Sequence, residues 1–253
     1  MNERITSRKN PLMTQVRKLA TNRSFRREQG LFLGDGVKLL EEAVRWSAHS
    51  LDTVVFTEGT ALPPLPPTVR GVEVPGDVMA SISPMESPQG ALFLSRMGET
   101  APPERLEGSR YLVLDGLQDP GNVGTIWRTA DALGADGLLL VNGCADPWNP
   151  KTVRATMGAC FRLPVYEVKT EELAALLERS DLPLYATALR EDTVDVKTAD
   201  LSRSAVVIGS EGRGVSETLL AMSRQTLKIP MRERCESLNA AAAATVVLWE
   251  MGR

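Results

Sequence analysis

The sequence predicts an α/β chain: a mostly parallel sheet with helices on both faces over residues 105–253, preceded by a small α/β domain over residues 1–104. Three observations predict it. After residue 105, β-like apolar runs alternate with helical patterns. Those runs are hydrophobic nearly throughout rather than at every second position, as expected of strands buried on both faces. Between the two parts lies MGETAPPERLEGSR, from Met97 to Arg110, a polar stretch bearing Pro and Gly that suits a linker.

In order along the first part, VKLLEEAVRW reads as a helix, TVVFTE as a strand and QGALFLSRM as another strand; LPPLPP, between strand-like VVFTE and VEVPG, is a loop inside the domain. The second part runs YLVLDGL, a helix from about Asn122, GLLLVNG, a helix near Lys151 to Ala159, LPVYEV, the helix EELAALLERS, LPLYATAL, SAVVIGSE, the helix SETLLAMS, TLKIP and a final helix. Ligands of such sheets bind beyond the carboxyl ends of the strands. The loops that matter are therefore LQDPGNVG, ATAL, GSEGRGVS and PMRERCESLN.

Composition excludes several classes. With 253 residues and 43% hydrophobic content, the chain can bury one large or two ordinary cores. No apolar run approaches the ~20 residues that cross a bilayer. The opening MNERITSRKNPLM has no signal-peptide core, so the expectation is cytoplasmic residence without a membrane. Cys144, Cys160 and Cys235 form no CxxC pair, and His49 is the only histidine, so neither a disulfide framework nor a metal site is expected. His49 sits in WSAHS, a helix-end setting far from any nucleophile motif, which argues against a Ser-His-Asp hydrolase.

Charge is uneven. Residues 1 to 30 carry eight basic side chains (Arg4, Arg8, Lys9, Arg17, Lys18, Arg23, Arg26, Arg27) against Glu3 and Glu28, on a chain of net charge -3. On charge alone this is either a footprint for a nucleic-acid backbone or a solvated helix face.

Three stretches carry polar residues where a ligand would bind. In LDGLQDPGNVGTIWRTADALGADG, Val123, Ile126, Ala130 and Leu133 form a buried stripe, and Arg128 points to the opposite side, either toward a phosphate or carboxylate or in an i,i+3 pair with Asp131. GSEGRGVS is neither GxxxxGK[ST] nor GxGxxG, and Glu211 within it would repel a cradled phosphate, which leaves room for a cationic or hydroxyl-bearing ligand. Alternatively it is a tight strand-to-helix connection with Ser216 as cap. In RCESLNAAAAATVVLWE, Ser237 is the expected N-cap and the alanines favour helix, while Asn239 is left over.

In that order, NVGTIWRTADALGA, VVIGSEGRGVS and LKIPMRERCESLNAAAAATVVLWE resemble the three motifs of the SpoU/TrmH class of SPOUT methyltransferases, which transfer a methyl group from S-adenosylmethionine to a ribose 2'-hydroxyl of RNA. The resemblance covers residues 110 to 253. The stretch ITSRKNPLMTQVRKLATNRSFRREQGLFLGDGVKLLEEA is similar to the L30-like RNA-binding domain that many of these enzymes carry.

The resemblance implies a C-terminal trefoil knot, a homodimer, and an RNA substrate, ribosomal in preference to transfer RNA, met by the basic N-terminal segment. It implies S-adenosylmethionine as cofactor, contacted by Thr187, Gly209, Ile229 and Leu238, and a catalytic set of Asn122, Arg128, Glu211, Ser237 and Asn239. The family role of Arg128 is to activate the hydroxyl; as a guanidinium, which is a poor base, it is better suited to bind a phosphate. Three details depart from the commoner pattern: Ser210 where Asn is frequent, plain alanines in motif three, and Asp35 where Glu is usual. The competing readings are a transfer-RNA methyltransferase, a base methyltransferase of the wider SPOUT group, and a silent RNA-binding or ribosome-assembly factor. A Rossmann oxidoreductase lacks its glycine fingerprint.

Overall fold

In the computed structural model all residues are described except 1, 2, 191, 192, 233 and 236. The chain forms two compact units, Met1–Gly98 with Asp146–Phe161, and Glu99–Ala145 with Arg162–Arg253.

The first unit opens with β1 (Glu3–Arg4), α1 (Pro11–Thr21) and α2 (Arg23–Gln29), then β2 (Leu31–Asp35), α3 (Val37–Ser47), β3 (Leu51–Thr57), β4 (Arg70–Val74), α4 (Gly76–Ile82) and β5 (Ala91–Arg96). Asn10 starts α1 by accepting Leu12 N–H at 2.9 Å, with Pro11 at the first helical position where a missing N–H costs nothing. The strands order as β1-β4-β3-β5-β2. One core cluster gathers Met13, Val16 and Leu19 of α1, Val78, Met79 and Ile82 of α4, and Leu33, Val55, Val72 and Leu94 from the sheet.

The second unit begins with β6 (Arg110–Asp115), α5 (Pro120–Ala132) and β7 (Gly137–Val141). The chain then returns to the first unit for residues Asp146–Phe161, which carry α6 (Pro150–Ala155). There Trp148 stacks on Phe32 with centroids 4.8 Å apart, Phe161 lies against Phe32 and Phe93, and buried Arg26 donates to Asp146 at 2.6 Å. The expected division at residue 104/105 differs from this on two counts. The first unit ends at Gly98, and the helix expected near Lys151 belongs with it. Nothing near it in sequence announces that; its partners lie 120 residues upstream.

The rest of the second unit is β8 (Val165–Glu167), α7 (Thr170–Arg179), β9 (Leu184–Thr187), β10 (Val194–Asp195), β11 (Ser204–Gly209), α8 (Glu217–Met222), β12 (Gln225–Lys228) and α9 (Ala240–Met251). Its strands order as β10-β12-β9-β11-β6-β7-β8 with every described ladder parallel. β7 is buried at all five positions and β11 at five of six, the pattern of strands covered on both faces. Val113 of β6 and Ala205 and Val207 of β11 cluster with Leu173, Leu176 and Leu177 of α7 and Leu219 of α8. Their alternates Leu112, Leu114, Val206 and Ile208 are equally buried and face the other way, where α5 and α9 pack on each other and on the sheet. From β6 the sheet grows through β7 and β8 on one side and through β11 and β9 on the other, so the strand order reverses between β6 and β11. That reversal is where parallel sheets open a crevice at their carboxyl ends.

Smaller differences have local reasons. α5 starts at Pro120 rather than Asn122, because Asp119 caps it by accepting Asn122 N–H at 2.8 Å. Its buried face includes Trp127, whose Nε1 donates to Leu163 O at 3.0 Å. Of the eight N-terminal basic residues, Arg26 is only 2% exposed and structural, and Arg4 and Arg8 pair with Glu73 and Asp77.

Candidate active site

A cavity of about 290 Å³ opens at the strand carboxyl ends of the second unit. It touches the last residues of three parallel strands, Thr187 of β9, Gly209 of β11 and Lys228 of β12, together with the loops that follow them and the start of α9. Its wall includes Leu189, Ile208, Ile229 and Leu238 as apolar surface and Gly214, Ala240 and Ala243 as small residues. Leu189 is 67% exposed and Leu238 39%, large apolar side chains bordering a cavity and awaiting a partner.

All four expected cofactor contacts, Thr187, Gly209, Ile229 and Leu238, line this cavity, as do Glu211 and Ser237 of the expected catalytic set. Thr187 contributes wall rather than a free hydroxyl, since its Oγ1 donates to Val207 O at 2.9 Å. Gly209 has a steric reason: the loop folds back so closely that a Cβ there would fall within the Gly214–Val215 backbone. Ser210 and Gly214 exchange two backbone hydrogen bonds, 3.1 and 2.8 Å, that close the loop, and Gly214 takes φ +67°, where glycine is at ease.

Glu211, at the tip of that loop, accepts a hydrogen bond from Asn122 Nδ2 on α5. Asn122 Oδ1 accepts from Asn239 Nδ2 at 3.2 Å, and Asn239 Oδ1 accepts the N–H groups of Ala241 at 2.9 Å and Ala242 at 3.4 Å. Asn239 is therefore the N-cap of α9, and the expectation that Ser237 caps it is corrected. A cap must sit directly before the first helical residue to reach the first-turn N–H groups, and that residue is Ala240. Ser237 lies two residues further out, exposed beside the cavity. In the same way Ser216 stands at the N-cap position of α8 but makes no side-chain cap bond.

The cap fixes the direction of the whole chain of hydrogen bonds. With Asn239 Oδ1 committed to the helix, its amide must donate; Asn122 must then accept with Oδ1 and donate with Nδ2, and Glu211 must receive. Sequence reasoning named all three residues but missed the cap that orients them. The signal was present: Asn is a poor interior helix former and a preferred N-cap, directly before five alanines.

Arg128 is the expected residue that the fold does not bring to this cluster. Six residues beyond Asn122 on α5, it is displaced by roughly 9 Å along the axis. It is exposed, absent from the cavity wall, and without an ion-pair partner among the described residues. The alternative pairing with Asp131 is not formed, because Asp131 pairs with Arg162 at 2.8 Å. Lys228, which sequence reasoning did not name as a site residue, also reaches the cavity and brings a positive charge to its wall, as does Leu189 of the expected ATAL loop with an apolar side chain.

Comparison with known proteins agrees with this geometry. Residues 109–249 match the SpoU rRNA Methylase family, and residues 10–92 match the MRM3-like substrate binding domain. The chain is 35% identical to an uncharacterised tRNA/rRNA methyltransferase of Synechocystis, over 98% of this chain and 93% of that protein. It is 31% identical to the 23S rRNA (guanosine(2553)-2'-O)-methyltransferase RlmP of Bacillus subtilis, over 98% of this chain and 99% of that one. Among solved structures, an AdoMet-bound rRNA methyltransferase from Sinorhizobium meliloti superposes with a TM-score of 0.85 at 30% identity, covering 98% of this chain and 97% of that one.

Proposed function

Because this chain belongs to the SpoU rRNA methylase family, we propose that it transfers the methyl group of S-adenosylmethionine to a ribose 2'-hydroxyl of ribosomal RNA. The observation that carries this reading is the oriented chain Glu211–Asn122–Asn239 beside an apolar cavity at the carboxyl ends of a parallel sheet. The cavity suits the cofactor: Leu189, Ile229 and Leu238 offer apolar surface for an adenine, and the small residues Gly209, Gly214 and Ala240 let a ligand approach the backbone. When bound, S-adenosylmethionine supplies an already activated sulfonium methyl. What remains for the protein is to hold the ribose in line and to take up the hydroxyl proton. Glu211 faces that task, since one carboxylate oxygen is held by Asn122 and the other has no hydrogen bond among the described residues. Asn122 and Asn239 restrict its orientation. Ser237, exposed on the cavity wall, is placed to hydrogen-bond the ribose or cofactor. Arg128, whose guanidinium offers donors and no acceptor, acts as a phosphate anchor rather than as a base.

The first unit is assigned to RNA binding, in keeping with its match to a substrate-binding domain. Lys9 and Lys18 are exposed and make no ion pair among the described residues, Lys18 lying over the Phe25 ring at 5.2 Å, so both ammonium groups can meet phosphates. The C-terminal segment is expected to thread the trefoil knot of the family. The homodimer is expected to form on the exposed face of α5 and α9, where Trp249 is 62% exposed beside Thr245 and Ala242. No described helix is long and apolar enough to cross a membrane, and the reading places the enzyme in the cytoplasm with its RNA. Incubating the purified protein and labelled S-adenosylmethionine with ribosomal or transfer RNA, then digesting with ribonuclease, tests the function. Label in ribonuclease-resistant dinucleotides of ribosomal RNA supports it; label in bases, in transfer RNA alone, or nowhere overturns it.

A further inference from the structure

Asp115 ends β6 as one of the few carboxylates buried in the second unit, at 4% exposure, and both of its oxygens are occupied. Oδ2 accepts Ser216 N–H at 2.7 Å, and Oδ1 accepts Asn142 Nδ2 at 2.6 Å. Asn142, held in the left-handed region at φ 52°, accepts Thr170 Oγ1 at 2.7 Å through its own Oδ1, so its amide is turned toward Asp115. The bond to Ser216 is the informative one. Ser216 is the downstream end of the loop that begins at Gly209, and Gly209 is paired in register with Asp115 across the β6–β11 ladder. Both ends of the loop are thus referred to one residue, upstream through the ladder and downstream through a charge-assisted hydrogen bond. Between those ends stand Ser210, Glu211 and Gly214, which with Gly209 itself form part of the cavity wall.

We propose that Asp115 is a positioning residue for methyl transfer: its buried carboxylate clamps Ser216 N–H and thereby sets the 209–216 loop that shapes the cofactor cavity and presents Glu211. This rests on the functional reading above. The position suits a carboxylate because two donors converge on it, Ser216 N–H and the Asn142 amide, which also reaches Ser216 Oγ at 3.4 Å; an Asn side chain offers one oxygen and would turn its own N–H groups toward the other donor.

Asp115→Asn removes one acceptor, and Ser216→Pro removes the matching N–H. Residue 216 already has φ -63°, the proline value, so the second substitution suits the backbone there. The two single variants, the double variant and the unaltered protein are compared by calorimetric binding of S-adenosylmethionine without RNA, by kcat and KM for methyl transfer, and by amide hydrogen exchange across residues 209–216. Each single variant should bind the cofactor about tenfold more weakly, lose roughly 10- to 100-fold in kcat/KM, and exchange faster in this loop. The double variant should be no worse than the weaker single, because both remove one bond. Losses that multiply in the double variant, or single variants that bind and turn over like the unaltered protein, overturn the proposal. If Asp115→Asn does not fold, Ser216→Pro decides alone: the same losses support the clamp and unaltered behaviour overturns it. An unaltered protein that neither binds the cofactor nor methylates RNA overturns the functional reading, and the clamp with it; an active one with unaffected variants overturns the clamp alone.

Discussion

Asn239 does two jobs, and a pair of substitutions separates them. Asn239→Ala deletes the oxygen that accepts Ala241 and Ala242 N–H groups, at 2.9 and 3.4 Å, and the amide that donates to Asn122 at 3.2 Å. Losing an N-cap costs about 1 kcal/mol, and losing an exposed neutral hydrogen bond adds about 0.5 kcal/mol. A total of about 1.5 kcal/mol lowers the denaturation midpoint by roughly 3–6 °C in a chain of this length. Asn239→Ser keeps an N-cap oxygen of similar quality but has no amide, so its stability should stay within about 0.5 kcal/mol of the unaltered protein. Both variants release Asn122, and with it the orientation of Glu211, so both should lose turnover by roughly tenfold or more. The assays are thermal denaturation followed by circular dichroism and single-turnover methyl transfer at saturating cofactor. Recovery of turnover together with stability in the serine variant would refute the reasoning, because Asn239 would then be a cap and nothing more.

Four further outcomes are expected. Glu211→Gln should retain cofactor binding by calorimetry while turnover falls roughly 100-fold or more, the range of a lost proton acceptor; equal losses of binding and turnover would make Glu211 a binding residue. Gly209→Ala should abolish cofactor binding, since its methyl group collides with the Gly214–Val215 backbone, and wild-type affinity would show that the loop is not folded back as described. Arg26→Met leaves buried Asp146 with Arg23, at 4.0 Å, as its remaining cationic partner among the described residues and should cost about 3 kcal/mol in urea denaturation, most of it recovered when Asp146 is changed to Leu as well. Burial without a hydrogen bond raises the Asp35 carboxyl to about 6, only partly offset by Arg154. The folded state therefore holds this proton more tightly than the unfolded chain. Its contribution is complete below pH ~4, declines between there and pH ~6, and totals about 3 kcal/mol. Asp35→Asn should flatten that part of the stability–pH curve and stabilise the protein at pH 7.5; parallel curves would show that Asp35 does not titrate there.

The second unit was legible because parallel strands advertise themselves. GLLLV and AVVI are apolar throughout, and each is followed by turn residues and a helical pattern, so element type and the loops at the strand carboxyl ends could both be read. The return of residues Asp146–Phe161 to the first unit was not legible. It depends on complementarity between Trp148 and Phe32, Phe161 and Phe93, and Asp146 and Arg26, pairs far apart in sequence that no local pattern links. Charge counting failed at Arg26 for a related reason: a tally of basic residues cannot tell one that is 2% exposed and ion-paired from one facing solvent. For the site, family motifs identified residues whose chemistry alone was ambiguous. They did not reveal which oxygen each amide presents, because that follows from the cap bond of a helix whose first residue was misjudged by two positions.

The alanines after Asn239 acquire a purpose from that geometry. α9 is apolar on nearly all sides and packs on α5 and β11, with Ala240, Ala241 and Ala244 buried. Methyl side chains let two helices approach more closely than leucine or valine would. The approach matters most at the first turn, where Asn239 must come within hydrogen-bond reach of Asn122 on α5. A bulkier side chain at Ala240 or Ala241 would push the two helix starts apart, lengthen that 3.2 Å bond and free Asn122 to rotate. Glu211 would then lose its orientation although no polar residue had changed. The polar head and the featureless run behind it are therefore one device, in which small residues set the distance and the cap sets the direction.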